Sequence, residues 1–198
     1  MKITKIITLF LLTTFSVVAQ QKISVEEIYT GAFRAKGMDA LQSMKNTNQY
    51  TVLNTDRATK SQQIDLYDFA TLKKVSTLID TKNFKELSDD GIDSYVFSND
   101  EKQILIANNS NQIFRHSFTA DYFLYDTKSQ KISGFLGQVQ EPTFSPDGTK
   151  IAFAKTNDLY IYDIASKNTT LVTNDGVNNA VINGITDWVY EEEFAFVR

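Results

Sequence analysis

The chain has 198 residues, enough for one or two domains, and its 42% hydrophobic and 22% charged content is ordinary for a globular protein. A net charge of −4 gives no basic footprint for nucleic acid, and the absence of cysteine excludes disulfides and thiolate chemistry. A zinc site or a Ser-His-Asp triad would have to use the one histidine, His116, and no G-x-S-x-G motif accompanies it. We therefore expect no metal, no cofactor and no nucleic-acid partner.

The first residues predict an export signal. A basic start, MKITK, precedes an apolar stretch at 6–18 that is too short to span a bilayer comfortably, and Val17-Val18-Ala19 offers a small-residue cleavage site. We interpret residues 1–19 as a secretory signal peptide, with an uncleaved membrane anchor as the alternative. The mature protein is then expected to be secreted, in the periplasm if the source is bacterial, without an integral membrane span.

Residues 20–49 predict a lead-in segment with a short helix. Ser24 is a suitable N-cap, and Glu27 three residues later completes the pattern of a capping box. After Tyr50 the sequence changes to short apolar runs separated by polar turns, which favours strands. We therefore expect the main domain to occupy residues 50–198.

A repeated hairpin pattern organises the main domain. Each copy is an alternating strand that ends in Tyr-Asp, a polar turn and a second strand: QIDLYDFATLKKVSTL (63–78), DYFLYDTKSQKISGFL (121–136) and DLYIYDIASKNTTLVT (158–173). Two copies follow a second hairpin with a Ser-x-Asp turn: YVFSNDEKQILIA (95–107) and PTFSPDGTKIAFA (142–154). Together these hairpins make a four-stranded unit that recurs about every 40–50 residues, as the blades of a β-propeller do.

The predicted fold class is therefore all-β, a partial β-propeller preceded by a short helical segment. Residues 50–198 hold about three blades, whereas closed propellers have about four to eight. A β-sandwich with accidental internal similarity is the alternative. On the propeller interpretation the domain is incomplete, and its open strand edges favour aggregation.

Two stretches carry candidate chemistry. Arg115 and His116 lie near the start of a strand pair, where a surface or ion-paired arginine and a structural histidine are the ordinary interpretation. Asp187 can cap a helix whose first turns contain the three glutamates at 191–193, where the helix dipole favours negative charge. A solvated acidic helix start explains this run. A glycosidase pair suits it poorly, because those carboxylates lie ~5–9.5 Å apart, usually on separate elements. Neighbouring carboxylates do suit an ammonium group, which donates three hydrogen bonds.

The strings NGITDWVYEEEF (183–194) and FRHSFTADYFLYD (114–126) resemble the dipeptidyl peptidase IV family of the prolyl oligopeptidase superfamily. The resemblance implies an eight-bladed propeller followed by an α/β-hydrolase domain. It also implies the release of X-Pro, or less well X-Ala, dipeptides from peptides with a free N-terminus. By this resemblance Glu192 and Glu193 bind the α-ammonium of the substrate, and Arg115 reaches the carbonyl of its first residue.

The chain departs from the family because it contains no hydrolase domain and no match to the Ser-Asp-His triad. We therefore expect the parent protein to be a serine dipeptidyl peptidase that forms a homodimer at full length. We expect these 198 residues alone to be inactive. The alternative hypothesis is a non-catalytic periplasmic β-propeller that serves as a binding module. The combination of Arg115 with the glutamates separates the two, since a generic scaffold has no need of it.

Overall fold

The computed structural model of the protein describes residues 23–35, 40–88 and 91–196, so the predicted signal peptide lies outside the described residues. The chain divides into two compact units, Met1–Asp39 and Ala40–Arg198.

The first unit contains one short helix, α1, at Val25–Tyr29. The predicted capping box is present, because Ser24 Oγ accepts a hydrogen bond from Glu27 N at 3.1 Å and Glu27 Oε2 accepts one from Ser24 N at 2.9 Å. Each side chain thus satisfies a backbone donor that the first helical turn leaves without an intrahelical partner.

The second unit is built mainly from antiparallel strands. Its described strands are β1 (Leu41–Ser43), β2 (Gln49–Thr55), β3 (Gln62–Asp68), β4 (Lys74–Asp80), β5 (Ser94–Phe97), β6 (Gln103–Gln112), β7 (Phe118–Asp126), β8 (Lys131–Phe144), β9 (Lys150–Lys155), β10 (Asp158–Asp163) and β11 (Thr169–Leu171). The helices are a 3₁₀ turn at Thr81–Asn83, α2 (Lys85–Ser88) and α3 (Trp188–Glu192). Within the described ranges, every helix is too short or too polar to cross a bilayer.

These strands form three consecutive four-stranded blades. Blade one is the sheet β1-β2-β3-β4, and the remaining strands form a second sheet in the order β11-β10-β9-β8-β7-β6-β5. Strand β8 belongs to two blades, because its first part pairs with β7 up to Val139 and its last part pairs with β9 from Gln140. The predicted partial β-propeller is confirmed. The first strand begins at Leu41, before residue 50, where the main domain was predicted to start. The domain boundary at residue 50 stays a prediction.

The repeated Tyr-Asp pairs have a local structural role in all three blades. Each aspartate ends a strand and accepts a hydrogen bond from the backbone N–H three residues later: Asp68 from Thr71 at 2.8 Å, Asp126 from Ser129 at 2.6 Å and Asp163 from Ser166 at 2.8 Å. These backbone bonds hold the pKa of each aspartate below its ordinary value. The aspartates therefore fix the turns that the repeat predicted.

The Ser-x-Asp turns are equally alike in blades two and three. Ser98 Oγ donates to Asp100 Oδ1 at 2.8 Å, and Ser145 Oγ donates to Asp147 Oδ1 at 2.6 Å. In blade three, Gly148 takes a φ of +70°, a backbone conformation that glycine adopts without strain. This local chemistry explains why the hairpins could be recognised from the sequence alone.

The core lies between neighbouring blades, because a strand of blade two presents alternate residues to each neighbour. On β6, Ile104 and Ile106 join a cluster with Ile64 and Ile79 of blade one. Leu105 and Ala107 of the same strand join a second cluster with residues of blade three, namely Ile151, Phe153 and Tyr162. The two-residue period of a strand thus buries both faces of blade two.

Candidate functional site

Blade two carries an extended hairpin that its neighbours lack. Strands β6 and β7 stay paired up to Gln112 and Phe118, whereas β9 and β10 close at the pair Lys155 and Asp158. The pairing of β6 with β7 is interrupted between Asn108 and Asn111, and Asn109 there has a φ of +51°. A bulge of this kind bends a hairpin. We call the extension, residues 109–119, the arm.

The arm is attached to the blade through Gln138 of β8. Its Oε1 accepts hydrogen bonds from Asn111 Nδ2 at 3.0 Å and from Thr119 Oγ1 at 2.8 Å, one on each strand of the arm. Its Nε2 donates to the carbonyl of Asn109 at 3.2 Å. A single amide side chain therefore fixes both strands of the arm at its base.

The arm ends in a tight turn, residues 113–117, that we call the tip. The N–H of Ile113 donates to the carbonyl of Ser117 at 2.9 Å, which closes the turn. The side-chain amide of Gln112 donates to the carbonyl of Arg115 at 3.0 Å and also to that of Phe114. Three carbonyls of the tip are thus used internally, and three successive N–H groups, at residues 115–117, are left to bind an acceptor. Such a run of N–H groups is suited to anions.

Helix α3 supplies that anion. Asp187 caps the helix as predicted, because its Oδ1 accepts from Tyr190 N at 2.9 Å. The cap places Glu191 in the first helical turn, where the dipole favours a carboxylate. With only five residues the helix has little stability of its own, so its contacts with the tip matter.

Arg115 and Glu192 meet through two separate contacts. Glu192 Oε1 accepts from Arg115 N at 2.8 Å, and Glu192 Oε2 lies 2.9 Å from Arg115 Nη2. The side chain of Glu192 is 12% exposed and that of Arg115 is 67% exposed. One residue of the tip thus engages both oxygens of this carboxylate, while most of the guanidinium remains accessible to another ligand.

Glu191 is buried, at 1% relative exposure. Its Oε1 accepts hydrogen bonds from His116 N at 2.6 Å and Ser117 N at 2.8 Å. Burial alone would raise the pKa of Glu191, but the neighbouring Ser117 hydroxyl and these two N–H groups outweigh it and leave the pKa below its ordinary value. The hydroxyl lies beside the carboxyl without hydrogen-bond geometry, and neither Ser117 Oγ nor Glu191 Oε2, both buried, has a hydrogen-bond partner among the described residues.

The structure brings two of the three predicted site residues into contact. Arg115 pairs with Glu192, whereas Glu193 is exposed and makes no side-chain hydrogen bond within the described part of the chain. His116 is exposed and takes part through its backbone N–H. The ligand-binding role of Arg115, Glu192 and Glu193 stays a prediction.

Glu191 was missed, and its burial shows that the glutamate run is not a uniformly solvated helix start. Its partners lie 74 and 75 residues away, so no local signal could have identified it.

A cleft of about 820 Å³ lies next to these contacts. Phe114 and Ser117 of the tip line it together with Trp188 and Tyr190 of α3, but Arg115 does not. The cleft and the charged pair are therefore separate features. We assign the candidate site to the charges, because size alone does not select a ligand whereas opposed charges do.

Comparison with known proteins points to one family. Residues 98–197 match the model of the dipeptidyl peptidase IV (DPP IV) N-terminal region. The chain is 35% identical over 144 residues to dipeptidyl aminopeptidase B of Saccharomyces cerevisiae, which covers 72% of the chain and 17% of the relative. It is 35% identical over 121 residues to dipeptidyl peptidase 4 of Felis catus, covering 60% of the chain and 16% of that relative.

A solved structure agrees with these matches. The crystal structure of Porphyromonas gingivalis dipeptidyl peptidase 4 superposes with a TM-score of 0.76 at 34% identity, over 91% of this chain and 26% of that one. The chain thus spans about a sixth of the length of the curated relatives and about a quarter of the solved one. Because the family match includes both the arm and α3 and extends over half of the sequence, the chain belongs to the family of the dipeptidyl peptidase IV N-terminal region.

Proposed function

We propose that this chain is the N-terminal, substrate-recognising part of a secreted serine dipeptidyl peptidase that releases X-Pro, or less well X-Ala, dipeptides. The observation that carries the proposal is the paired contact between Arg115 and Glu192 on two elements that the family match includes. The chain spans only a fraction of its relatives, so the activity belongs to a longer protein.

The ligand of the site is the free α-ammonium group of a peptide. Its pKa is about 8, so most of it is protonated at neutral pH, and it has three donors to place. Glu193 has both carboxylate oxygens free of side-chain hydrogen bonds in the described residues, and Glu192 retains acceptor capacity beyond its two contacts with Arg115. An ammonium between the two carboxylates gives Glu193 the partner it lacks.

Arg115 completes the recognition of the dipeptide. Two carboxylates and one ammonium leave a residual negative charge, which the Arg115 guanidinium offsets. Because its side chain is 67% exposed while one nitrogen contacts Glu192, further N–H groups are available for the carbonyl of the first substrate residue. A peptide with a blocked N-terminus would leave the carboxylates without their ligand, and the loss of that charge pairing disfavours its binding.

Binding of the N-terminus determines which peptide bond is cleaved. A fixed N-terminus allows only the second peptide bond to reach a nucleophile, so the site increases the rate by positioning. The nucleophile and its base belong to a hydrolase domain that these residues do not supply. We therefore propose that the 198-residue chain alone is inactive, that the parent protein is exported through residues 1–19, and that it acts as a homodimer.

The test uses the enzyme encoded by the whole reading frame, with a Gly-Pro chromogenic amide as substrate and the N-acetylated compound as the control. Glu192→Gln and Glu193→Gln should each lower kcat/KM by about 100-fold, because each removes one charge from the ammonium site. Unchanged kcat/KM in both variants would refute the anchoring role. A reading frame without a hydrolase domain would refute the enzyme and favour the non-catalytic binding module.

A further inference from the structure

Glu191 makes contacts that the recognition of a substrate does not require. It is buried, it accepts hydrogen bonds from two successive N–H groups of the tip, and its neighbour Glu192 accepts from the N–H just before them. Three consecutive backbone donors of the tip are therefore divided between two consecutive carboxylates of α3. This two-point attachment defines both the distance and the rotation of the tip relative to the helix.

The choice of a carboxylate at position 191 is costly for the fold. A buried charge loses hydration, and here a second carboxylate follows directly in sequence. Within the described part of the chain, Glu191 Oε2 also has no hydrogen-bond partner although it is buried. What the charged Oε1 provides is a pair of short, charge-assisted hydrogen bonds, which hold the tip more firmly than neutral ones.

The tip needs such a support because, apart from the contacts of α3 with the tip, the side-chain hydrogen bonds that fix the arm within the described residues lie at its base. Gln138 bonds both strands of the arm near Asn111 and Thr119, and beyond these residues the structure shows a turn closed by its own hydrogen bonds. Without a second attachment, a small rotation of the arm would move the Arg115 guanidinium relative to Glu192. A displacement of about 1 Å at a positioning group can cost about 100-fold in rate.

We infer that Glu191 is a positioning residue that holds the tip so that Arg115 and Glu192 present a preformed ammonium site; this inference rests on the proposed function. Glu191 acts through backbone groups and does not touch the substrate. Its removal should therefore weaken the recognition of the ammonium group itself, and not merely the stability of the fold.

The test measures that recognition as a ratio in the full-length enzyme. The probes are two competitive inhibitors, glycyl-pyrrolidide and acetyl-pyrrolidide, which differ in the presence of the α-ammonium group and lack the carbonyl of the scissile bond. The ratio is the inhibition constant of the acetyl compound divided by that of the glycyl compound. Glu191→Ala should lower this ratio by about tenfold. Glu191→Gln retains an oxygen that can accept both N–H groups, so it should keep the ratio within about twofold of the wild type.

Two further measurements separate positioning from stability. Amide hydrogen exchange at His116 and Ser117 should accelerate in Glu191→Ala and remain slow in Glu191→Gln. Leu136→Ala is the matched control, because Leu136 is buried in the cluster between blades two and three, which contains no residue of the tip. It should lower the Tm and leave the inhibitor ratio unchanged.

The possible outcomes distinguish this inference from the proposed function. If the ratio of inhibition constants falls in Glu192→Gln but is unchanged in Glu191→Ala, the positioning role is refuted and the ammonium site stands. If the ratio falls in both Glu191→Ala and Leu136→Ala, the fall is caused by lower stability, and the positioning role is again refuted. If Glu192→Gln also keeps the ratio, the proposed function itself is wrong.

Discussion

The hydroxyl of Tyr125 joins blade two to blade one, and its removal should weaken that junction. Tyr125 Oη donates a hydrogen bond to the carbonyl of Leu78 at 3.0 Å. The register between β3 and β4 shifts there, and Leu78 has no partner residue on β3. The hydroxyl thus supplies a donor at an irregular point of the neighbouring blade, and Tyr125→Phe removes only this group.

The expected loss follows from the packing of Tyr125. Tyr125 is 2% exposed, its ring stands edge-on to Phe84 with the centroids 5.7 Å apart, and phenylalanine keeps both features. The variant leaves the Leu78 carbonyl without this hydrogen bond in a partly buried position, which lowers the free energy of unfolding by about 1–3 kcal/mol. For a domain of this size each kcal/mol lowers the Tm by about 2–4 °C.

The change in Tm can be read against a variant at the same repeat position. Tyr162 occupies that position in blade three and is 6% exposed, but its hydroxyl has no hydrogen bond among the described residues. Tyr162→Phe should therefore change the free energy of unfolding by less than about 0.5 kcal/mol. Thermal and urea denaturation of both variants give the comparison, and equal losses would refute the role of the Leu78 carbonyl.

The pH dependence of this difference is a second check. Burial, and then the neighbouring charge of Asp126, raise the pKa of Tyr125 above its ordinary value of 10.0. A phenol with a raised pKa contributes its stability fully below the ordinary pKa and loses it as the pH rises through the folded value. The cost of Tyr125→Phe should therefore be constant between about pH 6 and pH 9.

Two further predictions concern blade three and its contact with blade two. The Ser145 hydroxyl, followed by the N–H and hydroxyl of Thr149, lowers the pKa of Asp147 to about 2. Its contribution to stability is then complete above the ordinary pKa of 3.8 and is lost as the pH falls towards 2, and a carboxyl NMR titration with an ordinary midpoint would contradict this. A Cβ at Gly134 would lie 2.9 Å from the Tyr162 hydroxyl oxygen, so Gly134→Ala should lose about 1–3 kcal/mol in urea denaturation. Tyr162→Phe removes that oxygen and should restore most of the loss, and a double variant without recovery would locate the strain elsewhere.

The parts of the fold that the sequence predicted are those held by local hydrogen bonds. The donor and acceptor of each Tyr-Asp turn are three residues apart, as with Asp126 and Ser129, and those of each Ser-x-Asp turn are two apart. The caps of α1 and α3 also lie within three residues of their donors. Such interactions leave a pattern of fixed spacing, which a repeat makes visible.

The parts that the sequence did not predict depend on distant partners. Strand β1 is three residues long and is defined by its pairing with β2, so the run from Leu41 has no strand signal of its own. The burial of Glu191 depends on the tip, which lies 74 residues earlier in the chain. A charged residue predicts exposure, and only its partners can reverse that prediction.

The candidate site lies where the repeat is interrupted, and this explains why the sequence revealed the blades and concealed the burial of Glu191. Blades two and three share their turns and their core positions, but only blade two extends its β6–β7 hairpin past the bulge at Asn109. A repeat keeps each blade packed on its neighbours, so a binding element can be added only where it leaves that packing intact, as an extension beyond the blade. Alignment of the blades therefore identifies the scaffold, and the residues that fit no blade, the arm and α3, are the ones that carry the charges.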